Sequence, residues 1–596
     1  MKRYLLAVLV LITFFIIGRT VSNDQSVTKP LGTELPKVGS VENFEQILNE
    51  INKKQIAFTN QMQPTMEFTR EARSGITKEA LDSGADYSST NVQVAGVDEA
   101  DRIKNDGAYI YQLIDNQLVI SKVNPVSEMK VVYSERFNHN EFYPQEMYVD
   151  QEQLVLIGGR PSYDTKGNFY KEFTAVKIYH LNDRSNLELV RELEIEGYYS
   201  SSRKIASALY VVTNKHLPYY LLREVRGKSE TQTLLEEMKP VYRDSAVSDD
   251  AQKIDWDQMY YFPSSTESNY LIVSGLDLSE PKTPVTVNSY LGAGESIYAS
   301  HEHLYVTRPD YQFEESPMGK IATFIARPFT NLDTIIYKFK MDNGNVTFLA
   351  EGKVEGAILN QFSMDEHNGH FRITTTKGDM WSESDPSENN IYILDKNLAI
   401  VGSITGIAPG ERIYSARFMG DRGYIVTFKQ VDPLFVLDLK DPKNPTILGE
   451  LKIPGFSDYL HPYDENHLIG FGKDTIENDM GGAMVRGFKM ALFDITDVNN
   501  PIEKFVEIIG DSGTHSELLY NHKALLFSKE KNIIGFPVEV YENKGNDRSM
   551  YPTFSFQGAY VYGLDLANGF QLKSGLVIMT MEPPIKIGII KNMYHD

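Results

Sequence analysis

Cysteine is absent from the 596 residues. Disulfides, thiolate metal centres and cysteine nucleophiles are thereby excluded, and stability rests on packing and hydrogen bonding. Tryptophan occurs twice and histidine 12 times, so neither can supply many sites. Positive charge is the scarce sign: 59 Lys and Arg face 81 Asp and Glu, a net charge of −22. Such a field repels a phosphate backbone, which argues against nucleic acid and leaves cations and basic partners.

What is present reads as globular and strand-rich. Hydrophobic residues make up 41% and charged residues 23%, outside the range of disordered chains. The 35 Tyr and 30 Phe favour strands. The chain opens "MKRYLLAVLVLITFFIIGRTVSN". Lys2 and Arg3 precede an apolar run from Tyr4 to Ile17 that Arg19 ends. The run has the length of a signal-peptide core and falls short of the roughly 20 residues of a membrane span. Residues 1–22 are therefore expected to be a signal peptide or a membrane anchor. No A-x-A site follows, although Thr20 and Ser22 could form the small pair at a cleavage point. An extracytoplasmic protein, secreted or anchored through this segment, is the expectation.

Residues 23–89 read as a tether with one amphipathic helix at 41–58. Val41, Phe44, Ile47, Leu48 and Ile51 fall at helical spacing, and Ser40 suits the N-cap. Residues 59–89 read as loop with a short helix near Thr77–Leu81. From Asn91 onward, short alternating runs recur between Asp, Asn, Gly and Pro turns. "YILDKNLAIVGSITGIAPGERIYSARFMGDRGYIVTF" (392–428), the stretch 435–472 and the stretch 491–528 share one plan. Each has a strand ending in Asp, a turn, a second strand, a Gly-containing loop, a third strand, a polar turn and a fourth strand. Looser copies lie at 118–159, 177–214, 273–308 and 336–376. The polar residue ending the first strand falls at Asn124, Asn182, Asp277, Asp342, Asp395, Asp438 and Asp494. Four strands in about 40 residues, repeated, mark an all-β protein of the β-propeller class.

An eighth copy at 559–579 supplies only two strands. Its complement is "RIKNDGAYIYQL" (102–113), which aligns with "RFMGDRGYIVTF" (417–428). The expected fold is therefore an eight-bladed β-propeller spanning 90–580. The N-terminal strands pair with the last blade to close it, and 581–596 form a tail. The count falls to seven if one loose early unit is misread. "TNVQVAGVDEADRIKNDGAYIY" (Thr90–Tyr111) resembles the segment that opens the domain in a family of secreted prokaryotic proteins. That family carries a C-terminal β-propeller domain distantly related to WD40 repeats. "HPYDENHLIGFG" (461–472) and "GTHSELLYNHKALLF" (513–527) are similar to family segments too. The resemblance covers about 90–575 and implies an extracytoplasmic propeller. It implies no catalytic residues.

Candidate chemistry is sparse. Asp98, Glu99 and Asp101 carry three carboxylates within four residues. They could supply half of a Ca²⁺ site, which needs six to eight oxygens, or satisfy backbone donors and pair with Arg102 or Lys104. His461 with His467, and His515 with His522, lack the i, i+4 spacing of a zinc protease. His301 and His303 would share a strand face. "GDSGTHS" (510–516) lacks the second glycine and following helix of a nucleophile elbow. Gly481-Gly482 has no following helix or lysine, as a phosphate cradle requires. Trp256 and Trp381 fall in insertions. The favoured role is binding or scaffolding at the cell surface, of a protein or a polysaccharide, through inserted loops at 215–268, 474–488 and 529–556. The alternative is an extracellular polymer-acting hydrolase or lyase with a cation in the channel.

Overall fold

The computed structural model describes residues 34–61, 90–163, 170–217, 228–312, 331–477, 483–543, 552–579 and 586–590, except 264, 266, 293, 295, 381, 383–385 and 430–431. The export segment, the turn of helix near Thr77–Leu81, Trp381 and Gly481-Gly482 lie outside the described residues. Among the described residues, no helix is long and apolar enough to cross a membrane.

Eight antiparallel sheets follow one another along the chain. We number these blades 1 to 8. Their cores span 103–136, 143–196, 198–291, 296–355, 364–407, 412–453, 456–509 and 526–579. Blade 3 takes its last two strands after the insertion that follows Lys215. The predicted count of eight stands.

The predicted closure does not. Tyr109–Ile114 pairs with Gln117–Lys122, not with the last blade, and Lys130–Arg136 completes that sheet. The cause is local. Only Asp115 (φ 52°) and Asn116 separate the two strands, and a two-residue loop makes its neighbours antiparallel partners. The repeat read from the sequence runs across blade boundaries. Residues 392–428 hold the two outer strands of blade 5 and the two inner strands of blade 6. Seven such straddling units, with half a unit at each end, make eight complete blades. Each end of the chain therefore builds its own sheet.

The repeated aspartates are turn residues. Asp277, Asp395, Asp438, Asp494 and Asp565 each accept a hydrogen bond from the backbone N–H two residues on, at 2.7–3.1 Å. This side-chain turn recurs between the third and fourth strands and absorbs part of the acidic excess.

Other expectations need correction. "SELLY" and "KALLF" are not the third and fourth strands of their unit. Glu517–Leu519 and His522–Ala524 are single helical turns, and of "KALLF" only Leu526 and Phe527 enter a strand, Leu526–Ser528, the first of blade 8. The Ser516 hydroxyl accepts from Leu518 N–H at 3.2 Å and Asn521 Oδ1 from Lys523 N–H at 3.2 Å. These side chains compete with ladder pairing. The tail contributes a fifth strand, Lys586–Ile590, to blade 8.

Helix α1 (Val41–Gln61) starts where expected, with Asn43 N–H on Ser40 Oγ at 3.2 Å. The insertion is mostly folded. It holds a second helix, α2 (Lys228–Glu237), whose polar sequence hides its pair of buried leucines, Leu234 and Leu235. Its strands Val241–Asp244 and Ser248–Lys253 extend blade 2, and Met259–Tyr261 lies parallel to the outer strand of blade 3. Trp256 is buried against Phe44 of α1, ring centroids 4.6 Å apart, and is no exposed anchor.

Seven hydrophobic cores lie between consecutive blades, from blades 1 and 2 to blades 7 and 8. Among the described residues no such core joins blade 8 to blade 1. Ile103 and Ile114 on blade 1 and Leu526 on blade 8 are 55%, 49% and 46% exposed. The residues facing this seam include Asn105 and Gln112 from one side and Gly535, Pro537 and Ala559 from the other. Polar and small side chains cannot interdigitate into a dense apolar layer.

Candidate functional site

Residues 91–101 run around the inner strands of the propeller before entering blade 1. Asn91 Nδ2 donates to Tyr459 Oη of blade 7 and to His522 O, both at 3.2 Å. Gln93 Nε2 donates to Gln361 O and Met364 O beside blade 5, both at 3.1 Å. Val97 and Asp98 pair with Ile205 and Lys204 on the inner strand of blade 3. Asp101 N–H donates to Met147 O of blade 2 at 3.1 Å, and Met147 N–H returns to Asp101 O at 2.8 Å. One short segment thus ties five parts of the ring, a role the sequence placed on strand exchange.

Its turn is Val94–Val97, closed by Val97 N–H on Val94 O at 3.0 Å. Gly96 sits at φ +78°, and a Cβ there would lie 2.8 Å from His301 Cε1. Gly96→Ala is expected to cost about 1–3 kcal/mol, from left-handed backbone strain and displacement of the histidine. Chemical denaturation measures it; a loss below 0.5 kcal/mol (roughly the scatter of neutral surface changes) contradicts the fit described.

The three sequence-singled carboxylates take different partners. Asp98 Oδ1 accepts from Lys104 Nζ at 2.8 Å. Glu99 is buried in the middle of the ring. Its Oε1 accepts from Gln93 N–H at 3.0 Å and Gln361 Nε2 at 3.5 Å, and its Oε2 lies 3.9 Å from Arg203 and 3.7 Å from His522. Asp101 points to the seam. Among the described residues, no group of three His, Asp or Glu side chains is gathered as for a metal ion. His461 donates to or accepts from Tyr459 Oη at 2.9 Å. Burial, with Arg417 and His522 nearby, holds His461 well below the ordinary imidazole range. Burial, with Lys523 and Arg203, does the same to His522. Both rings are neutral fixtures. The pairs His461–His467 and His515–His522 each divide: His467 faces Asp464 at 2.9 Å and His515 stacks on Tyr520. His303 pairs with Glu366 at 2.9 Å, while His301 is exposed beside the Val94–Val97 turn. Burial raises the Glu366 carboxyl, yet hydrogen bonds from His303 and Ser300 win and take it down to about 2.

The seam between blades 8 and 1 holds a cavity of about 680 Å³. Ile103, Ile114, Leu526, Tyr560, Val561 and Leu576 line its walls, and Asp101, Glu146 and Lys523 its inner end. Lys523 Nζ donates to Ala100 O at 2.5 Å and to Glu146 Oε1 at 2.6 Å. Glu146 Oε2 accepts from Tyr199 Oη at 2.7 Å. Burial pushes the Asp101 carboxyl up to about 6, against the pull of Lys523 and Lys104. An acid titrating near neutrality in a cleft marks a candidate site. Sequence reasoning picked Asp101 for its neighbours in the chain, but Glu146 and Lys523 carried no signal: they meet it only through the closing of the ring.

Part of the cleft wall lies at the face that carries the long connections. In every blade the link between second and third strands leaves the same face, because the strands alternate in direction. The stretches 215–268, 474–488 and 529–556 all hold such links. Ile103 begins a first strand and Ile114 ends a second, so both lie at that face.

The chain is similar to an uncharacterized protein of Methanocaldococcus jannaschii, 30% identical over 70% of this chain and 68% of that protein. It is also 30% identical to an uncharacterized protein of Archaeoglobus fulgidus, over 76% and 75% of the two chains. Among solved structures it is similar to Hsv2 of Kluyvelomyces marxianus at 9% identity, covering 68% of this chain and 95% of that one, with a TM-score of 0.29. Residues 87–589 match a family model described as a beta propeller domain. With eight sheets in sequence and a match over most of its length, the chain belongs to the beta propeller domain family.

Proposed function

We propose that the protein is an exported or cell-surface binding and scaffold module whose recognition site is the seam between its first and last blades. One observation carries this reading: seven blade junctions are filled by apolar cores, and the eighth holds a cavity of about 680 Å³ with apolar walls and a charged end. Concave, mostly apolar space with a few converging polar groups is the usual form of a binding site. The long connections around its mouth supply the rim on which a protein or polysaccharide would rest. The positively charged start and short apolar run support export.

The test uses a neutral solvatochromic dye, Nile red, on the full chain. One dye per chain is expected, and Val561→Trp should weaken its binding at least tenfold by filling the cleft. Unchanged dye binding by a folded Val561→Trp protein would remove the seam as the site. Protease accessibility on whole cells and N-terminal mass analysis test export; a protein protected inside the cytoplasm contradicts it.

The second reading, a hydrolase or lyase with a cation in the channel, is favoured by the Asp101 carboxyl alone, which suits proton transfer near neutrality. A melting-temperature drop on Ca²⁺ chelation would support it through ligand linkage.

A further inference from the structure

The charged end of the seam is not internally balanced in the same way for each group. Lys523 and Glu146 form a closed set with Ala100 O and Tyr199 Oη. Arg102 is exposed and reaches Leu113 O at 3.4 Å. Asp101 stands apart. Its Oδ1 accepts from Arg102 N–H at 2.7 Å, and its other carboxylate oxygen takes no hydrogen bond from any described residue. The backbone pair with Met147 fixes Asp101, so its carboxylate stays at the cavity's inner end. Ile103, Ile114, Leu526, Val561 and Leu576 line the same cavity. The arrangement is a mostly apolar slot with a carboxylate oxygen open to it at the inner end, within a protein of net charge −22.

We propose that the seam binds an alkylammonium group, its nitrogen on the free oxygen of Asp101 and its hydrocarbon between the two blades. This rests on the reading of the seam as the binding site and names the ligand class it takes. A charge-assisted hydrogen bond to a carboxylate is among the stronger polar contacts, and an aliphatic chain adds the apolar part. The opposite polarity does not fit: an anionic head would face Asp101, Glu146 and Glu517, with Lys523 already held by two acceptors. The ammonium can come from a free amine or from a lysine side chain of a partner polypeptide. Both present the same chemistry.

The experiment compares 1-hexylamine, 1-hexanol and hexanoate on the full-length protein by calorimetric titration and thermal shift. Hexylamine is expected to bind about tenfold more tightly than hexanol, and hexanoate more weakly than either. Asp101→Asn should bring hexylamine to the level of hexanol while hexanol itself is unchanged. Raising the pH from 5 to 7.5 should strengthen hexylamine binding several-fold and leave hexanol alone. Lys523, Lys104, Arg102 and Glu146 also face Asp101, and hexanol serves as the control for any change in them. Equal binding of the three compounds, or an amine preference that survives Asp101→Asn, overturns the proposal. Hexanol binding that Val561→Trp removes, with no amine preference, would leave the seam standing as a site and sink only the ammonium. Acetyl-Leu-Lys-Leu-amide against its norleucine analogue separates the sources. Tighter binding of the lysine peptide than of hexylamine supports a polypeptide partner; binding of hexylamine alone supports a small amine. Binding of neither counts against the proposal.

Discussion

Asp244→Ala is expected to destabilise the protein by about 3–5 kcal/mol, the cost of leaving a buried charge without its partner. Asp244 and Arg191 are each about 1% exposed in their side chains and 2.7 Å apart. The pair is bidentate, Arg191 Nε on Oδ1 at 3.0 Å and the second nitrogen on Oδ2 at 2.7 Å. Asp244 also accepts from Val285 N–H at 3.0 Å and Ala246 N–H at 3.1 Å, and Arg191 donates to Thr283 O at 2.8 Å. Arg191 belongs to blade 2, Asp244 to the insertion, and Thr283 and Val285 to blade 3. Truncation strands a guanidinium and two backbone donors at the point where three segments meet. Urea unfolding of the variant measures the loss. The double variant Arg191→Met with Asp244→Leu should recover most of it, since paired apolar replacements of buried ion pairs are often neutral. A loss under about 1 kcal/mol in Asp244→Ala would mean that water reaches the pair.

Asp101→Asn is expected to stabilise the protein above pH 7 by about 3 kcal/mol, and to leave it unchanged near pH 4. The sign follows from the raised carboxyl. Folding moves it from 3.8 to about 6, so between those values the folded state holds a proton that the unfolded state has released. Stability from this group therefore falls as pH rises through that window, and the whole cost of about two units, near 1.4 kcal/mol each, is present above it. Asparagine removes the charge and can still accept from Arg102 N–H. His461 and His522 act in the opposite direction. Their lowered values make the folded state resist protonation, so stability is lost as pH falls below about 6.5. The difference between variant and parent across pH 4–8 isolates Asp101 from them. A flat difference would show that Asp101 is not strained by burial. A residue whose charge lowers stability at the inner end of a cavity fits a binding role better than a structural one.

How much of this was legible in the sequence differs by element. Strand positions and the eight-fold count were legible because they depend on alternation and on turn residues such as Asp395, Asp438 and Asp494, which act within a few positions. Helix α1 was legible from its spacing and from Ser40. Helix α2 was not, because two leucines among polar residues make too weak a pattern. The two short helical turns at 517–524 were misread because Ser516 and Asn521 cap them, in a stretch whose apolar residues alternate like a strand.

The sequence by itself determined that this is an array of antiparallel four-stranded units, rich in aspartate turns and without covalent cross-links. Hairpin pairing is a short-range matter, set by loop length and side-chain alternation. Only the tertiary structure decided where one blade ends and the next begins, that the two ends meet without exchanging strands, and that the junction between them stays unfilled. It also decided that Asp101, Glu146 and Lys523 share one cavity, and that Glu99 meets Arg203 and His522. Those decisions belong to the packing of sheet faces, which joins residues hundreds of positions apart and leaves no periodic trace in the chain.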